Sequence, residues 1–182
     1  MGALHYFDPQ VRYEELGFGD VNISRNTVAK MRDIIRQSSA NEYVRKFAEH
    51  IVMDVRDRDR KGEVYAIFKW LQDHTRYAND PLGTEYIQTP PYVLKQIEAG
   101  LIPSLDCDDY VVTGLSLLRS LGYRTTIRAV GWGKNPNQKY SHVYGMVMIS
   151  PQLGWVAFDC VRKDQTLGWQ APGIKAIMDL PV

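Results

Sequence analysis

Leu105-Asp106-Cys107-Asp108-Asp109-Tyr110, with the apolar run that follows it to Leu121 and Gly122, is the stretch from which the rest of the chain is read. Val111, Val112, Leu115, Leu118 and Leu121 recur at helical spacing, and Gly122 supplies a stop. Asp106 stands where an N-cap belongs, and Asp109 where the reciprocal acid of a capping box belongs. Cys107 is thereby placed in the first turn of a helix whose other side is buried. Unpaired backbone N–H groups at that end carry partial positive charge, which favours the thiolate. A lone cysteine is more often a small buried hydrophobe than a nucleophile. The residues downstream decide between the two.

Upstream, residues 1–23 form a turn-rich arm with Asp8-Pro9 and Gly17-Phe18-Gly19-Asp20. Ser24 or Asn26 caps a first helix with Val28, Met31, Ile34 and Ile35 as its apolar stripe. Asn41 opens a second, carrying Val44, Phe47, Ile51 and Val55. The run Arg56-Asp57-Arg58-Asp59-Arg60-Lys61 alternates in sign and reads as a solvated helix end and loop. A third helix is expected from about Glu63 to His74, and Thr89-Pro90-Pro91 opens a fourth that closes at Gly100.

After Gly122 the period changes from helical to alternating. Tyr123 to Val130, Ser141 to Ile149 and Trp155 to Val161 read as three strands. A glycine-rich loop, Gly131 to Gln138, joins the first two, and its Trp132 is a candidate cleft wall. Ser150-Pro151-Gln152-Leu153-Gly154 joins the last two as a hairpin. Helices first and antiparallel strands second is an α+β order, a helical N-terminal half followed by an antiparallel sheet.

His142 opens the second strand and Asp159 lies near the end of the third, so an antiparallel hairpin brings these two ends together. With Cys107 they satisfy a scheme of nucleophile, base and orienter. The register expected for such a pair sets His142 opposite Asp159, Tyr144 opposite Ala157 and Met146 opposite Trp155. It needs an even connection, or a β-bulge that restores the parity. Asp106, Asp108 and Asp109 oppose an easily formed thiolate by like-charge repulsion. For an oxyanion, the Cys107 N–H is the first donor, with Gln88 or Tyr86 as candidates for the second. Cys160, next to Asp159 on a strand, faces the opposite way and reads as core.

The chain resembles the transglutaminase-like core family of the papain-like cysteine enzymes. The resemblance rests on Asp106-Cys107-Asp108-Asp109 at the helix start, Ser141-His142-Val143-Tyr144 opening a strand, and Trp155-Val156-Ala157-Phe158-Asp159 closing one. Ile67-Phe68-Lys69-Trp70-Leu71 through Arg76-Tyr77, and Gln88-Thr89-Pro90-Pro91-Tyr92-Val93-Leu94, extend it over Glu63 to Asp159. It implies a papain-like fold and a thiol acyl-transfer site, with Cys107 as nucleophile, His142 as base and Asp159 as orienter. It also implies a peptide or protein substrate with an amide carbonyl. Short stand-alone bacterial and phage members look similar as well. A structural or assembly protein of a phage particle, keeping the fold with a vestigial site, is the competing reading.

At 182 residues with 45% hydrophobic and 24% charged residues, the chain has an ordinary globular composition. The expected organisation is one domain over 1–182: arm 1–23, helical extension 24–62, catalytic core 63–161 and tail 162–182. A net charge of +1 excludes a broad basic nucleic-acid surface. The sequence shows no apolar run of membrane-spanning length and no signal-peptide pattern, so the expected setting is the cytoplasm, with a virion as the alternative. Two cysteines make no disulfide framework. No metal or other cofactor is expected: the acidic motif lacks the glycine and glutamate of an EF-hand, and no cysteine–histidine pair has zinc spacing. Oligomeric state is not fixed by this reading.

Overall fold

The helix that begins at Cys107 runs to Ser120, and every residue from Asp108 to Leu118 is buried. Such burial requires partners on all sides, and the remaining elements supply them. The computed structural model describes residues 12–14, 25–80, 85–133 and 140–182. Most of the expected N-terminal arm and of the loop after Gly133 lie outside these residues.

In chain order the elements are β1 (Arg12–Glu14), α1 (Arg25–Ser39), α2 (Glu42–Val52), α3 (Arg60–His74), β2 (Arg76–Tyr77), β3 (Glu85–Ile87) and α4 (Pro90–Glu98). They continue with β4 (Ser104–Leu105), α5 (Cys107–Ser120), β5 (Arg124–Gly131), β6 (His142–Ser150), β7 (Gly154–Phe158) and β8 (Ala176–Pro181). α1 buries Val28, Met31, Ile34 and Ile35, the stripe read from sequence, in the same core as α5. α2 starts on Asn41, whose side chain accepts from Tyr43 N, but it stops at Val52 and leaves Val55 in a turn.

α3 begins at Arg60 rather than Glu63. Asp59 caps it by accepting from Gly62 N at 2.9 Å. A Cβ on Gly62 would lie 2.6 Å from Asp59 Oδ2, so glycine is what lets the cap close. The end of the charged run is thus a helix start, and Arg60 reaches across to donate to Ile149 O on β6 at 2.7 Å.

The four-stranded sheet has the order β7-β6-β5-β8 with antiparallel pairing throughout. One face packs on α5 through Val143, Val147 and Phe158. Two glycines set how closely it packs. A Cβ on Gly145 would come within 2.6 Å of Leu115 Cδ2, and one on Gly114 within 2.5 Å of Phe158 Cε1. The other face carries Val130, Tyr144, Met146 and Ala157, with Ile174 of the tail packed against them. The tail then returns as β8 beside β5, an addition that the sequence reading did not anticipate.

The β6–β7 hairpin departs from the expected register. Gly145 pairs with Phe158, Met146 with Ala157 and Met148 with Trp155, two residues away from the pairing predicted. A displacement of two keeps every side chain on its expected face, whereas a displacement of one would reverse them all. Ser150 pairs with Gly154 across three residues, and an irregularity between Met148 and Ser150 restores the parity. Continued one residue past β7, the register sets Asp159 beside Tyr144, with His142 one rung farther on the same face.

Candidate active site

Asp106 caps α5 from its side chain, accepting from Asp109 N at 3.2 Å, and Asp108 Oδ1 accepts from the same N–H at 2.9 Å. Cys107 is therefore the first residue of the helix, half-buried, with the terminal N–H groups around it. β2 and β4 pair in parallel just before it, Tyr77 opposite Leu105, and Ala78 N donates to Leu105 O at 3.0 Å. Thr75, fully buried, donates to Leu71 O and shares a 2.7 Å hydrogen bond with the Tyr110 hydroxyl. These bonds tie the end of α3 to the first turn of α5.

His142 Nε2 lies 2.7 Å from Asp159 Oδ2. Asp159 is only 7% exposed, and its other oxygen accepts from Val161 N at 3.3 Å. An ionised carboxylate can only accept, so this contact puts the ring proton on Nε2 and leaves Nδ1 as the bare nitrogen. The imidazole has two ring neighbours. Trp132 stacks at 6.5 Å between centroids, and Tyr144 is tilted at 5.9 Å. Trp132 Nε1 donates to Pro172 O at 2.8 Å, and the Tyr144 hydroxyl to Gln170 Oε1 at 2.9 Å. The tail thus anchors both rings that neighbour the histidine, Trp132 through Pro172 and Tyr144 through Gln170.

Tyr77, which the sequence reading did not name as a candidate, closes one of the stretches that carry the family resemblance. Its hydroxyl, which donates to Asn79 Oδ1 at 2.6 Å, is pushed up to about 12. Burial is the larger cause, followed by negative charge on Cys107, Asp106, Asp108 and Asp159. One phenol therefore lies within electrostatic reach of both the thiol and the carboxylate behind the histidine.

Gln88 does not offer the donor expected of it. Its backbone N and its Nε2 both donate to Asp109, at 2.6 and 2.8 Å, and Nε2 also donates to Ser104 O. All three of its N–H bonds are engaged. Tyr86 N is likewise taken, by Asp80 Oδ2, on a strand paired with β1. The Asp109 carboxyl, turned to Gln88, is raised well above the usual carboxylate range, by burial first and then by Asp106. That bias towards the neutral form relieves part of the repulsion that three acids would otherwise exert on the thiolate. Asp106, Asp108 and Asp109 bring one oxygen each within 4.8 Å of one another. Asp106 and Asp108 serve the helix start through Asp109 N, and the Asp109 carboxyl serves Gln88.

The sequence profile of the Transglutaminase-like superfamily matches residues 45–160. The chain belongs to the transglutaminase-like superfamily. The match begins inside α2, earlier than Glu63, and it closes on Cys160. Among solved structures, the fold is similar to that described as a "putative cysteine protease" from Cytophaga hutchinsonii, with a TM-score of 0.51 and 14% identity. The alignment covers 92% of this chain but 57% of that one, so this superfamily member spans little more than half the length of that protein. Legionella pneumophila LapG aligns at a TM-score of 0.48 and 17% identity, over 84% of this chain and 81% of LapG. No curated protein matches the sequence. Among the described residues, no helix is long and apolar enough to cross a membrane.

The two thiols of this superfamily member sit in opposite environments. Cys160 is 2% exposed in the core, and burial pushes its thiol well up, with Asp159 adding to the effect. Cys107 lies at a helix start and reaches the surface. Iodoacetamide at neutral pH should alkylate Cys107 in the folded protein and leave Cys160 unmodified until denaturant is added. Peptide mapping reads the outcome, and preferential labelling of Cys160 would contradict the assignment.

Proposed function

We propose that the protein is a cysteine-dependent amide or peptide bond hydrolase, or acyltransferase, working through a thioester on Cys107. Nδ1 of His142 takes the thiol proton, and the sulfur attacks the carbonyl carbon of a peptide or protein substrate. The tetrahedral intermediate collapses, the C–N bond breaks, and the imidazolium returns its proton to the leaving amine. Water, or a second amine, then attacks the thioester by the reverse proton route. Asp159 holds the imidazole tautomer and stabilises the imidazolium. The Cys107 N–H is the first oxyanion donor.

The observation that carries this reading is the 2.7 Å contact of His142 Nε2 with a nearly buried Asp159, in a family fold whose cysteine starts a helix. Hydrolysis is favoured over transfer because Tyr77 and Trp132, at 43% and 37% exposure, leave the cleft walls open to water. The test is labelling by a thiol-directed acyl probe such as a peptidyl acyloxymethyl ketone, read by intact mass. Wild type should gain one adduct, mapped to Cys107, and Cys107→Ser none. An unlabelled wild type would leave the vestigial, structural reading in its place.

A further inference from the structure

A cavity of about 660 Å³ lies at the far end of the sheet from His142. It is bounded by the last turns of α1 and α5, the start of β5, the end of β8 and Trp155 of β7. β5 measures the separation: Arg124 lines the cavity, while Val130, six residues on, pairs with His142. At about 3.3 Å per residue that is roughly 20 Å. The cavity is therefore not part of the thiol site.

Its charge is one-sided. Arg36, Arg119 and Arg124 line it with no acidic side chain, and the carboxyl group of Val182, which also lines it, is set against Arg119. Arg119 Nη1 donates to Val182 O at 2.7 Å and is engaged. Arg36 and Arg124 are exposed and have no acidic partner among the described residues. The ordinary role of Arg36 and Arg119 is to offset the carbonyl ends of their helices. Each helix end carries about half a unit of charge, so two ends leave the cavity positive even after Arg119 is set aside. Thr125, 3% exposed, is among the residues around the cavity, and its hydroxyl is buried on the α5 side of the sheet with no hydrogen-bond partner. Trp155, 42% exposed, belongs to the same cross-strand row as Arg124, through Met148 between them. Guanidiniums such as those of Arg36 and Arg124 bind phosphate through forked N–H donors, and Trp155, on the same sheet face as Arg124, offers a ring beside them.

We infer that this cavity is a second binding site, for a small phosphorylated molecule with a planar ring, such as a nucleotide: phosphate on Arg36 and Arg124, ring on Trp155. The volume lies within the range of small-molecule pockets. The inference does not depend on the activity proposed for Cys107.

Isothermal titration of the full chain with adenosine diphosphate, and separately with inorganic pyrophosphate, tests it. Adenosine diphosphate should bind, more weakly as salt rises. The double variant Arg36→Ala/Arg124→Ala should lose about tenfold or more in affinity. Trp155→Ala should weaken adenosine diphosphate and leave pyrophosphate unchanged. Circular dichroism and Cys107 alkylation should be those of wild type, which separates loss of the site from loss of the fold. Three results would each overturn the inference: no adenosine diphosphate binding at millimolar concentration, an affinity unmoved by the double variant, or pyrophosphate bound as tightly as the nucleotide with no effect of Trp155→Ala.

Discussion

His142→Ala should slow acylation of Cys107 by about 10²–10⁴-fold, the range that a positioned general base contributes. The fold should survive, because the imidazole stands at the very start of β6, where its bond to Asp159 and its ring contacts to Trp132 and Tyr144 belong to the cleft rather than to the main core. Asp159→Asn asks a finer question. The amide can donate to Nε2 as well as accept, and the imidazole then tends to the tautomer that carries its proton on Nδ1, which cannot take the thiol proton. The rate should fall towards that of His142→Ala while the melting curve barely moves. Single-turnover acylation by an activated ester, followed as release of its leaving group, measures both variants. If His142→Ala acylates at the wild-type rate, the thiol has another base and the triad reading fails.

The second large effect concerns stability. Asp109→Ala removes the acceptor for Gln88 N and Gln88 Nε2 at a position that is 1% exposed. Each buried donor left without a partner costs about 1–3 kcal/mol, so roughly 2–6 kcal/mol is expected, against a typical domain stability of about 5–15 kcal/mol. Asp109→Asn keeps one acceptor for the Gln88 N–H and should recover part of the loss. The same residue predicts a pH dependence. Its carboxyl is raised in the folded state, so the stability it contributes is present below the unfolded carboxylate pKa, near 4, and is lost as pH rises through the folded value. Asp80, pushed up by burial to about 6, acts in the same sense, with the loss falling between pH 4 and 6. Urea unfolding from pH 4 to 7 should show both groups working against stability as pH rises, and Asp109→Asn should flatten the slope. A loss below 1 kcal/mol in Asp109→Ala would show that Gln88 finds other acceptors.

What could be read from sequence divides along physical lines. The start of α5 was legible because its cap is local: Asp106 accepts from the N–H of Asp109, three residues on, whereas the reciprocal half expected of Asp109 does not form because its carboxyl turns to Gln88. The start of α3 was misplaced because Arg60 and Lys61 carry no apolar signal, and the cap that sets it depends on a glycine two residues inside the helix. Strands of two or three residues, such as β2 and β4, are too short to show a period. β8 went unread because its partner, β5, lies more than forty residues earlier. The face on which His142 and Asp159 meet follows from parity, which sequence alternation records. The rung does not, because no side-chain pattern distinguishes a slip of two. Gln88 was misassigned for a related reason: its donors are claimed by a carboxylate whose direction is set only when α4 and α5 dock.

The irregularity between Met148 and Ser150 bears on how this hairpin can change over evolutionary time. Adding or deleting one residue between Met148 and Gly154, with no matching change in the bulge, would carry Asp159 to the α5 side of the sheet and bring Cys160 round in its place. A change of two would slide the acid by a single rung and leave it facing the imidazole. Length variation in this turn should therefore come in steps of two wherever the histidine keeps its carboxylate. An odd step should be accompanied by gain or loss of the bulge, so that a defect in one ladder acts as the counting device for a chemical pair 17 residues apart.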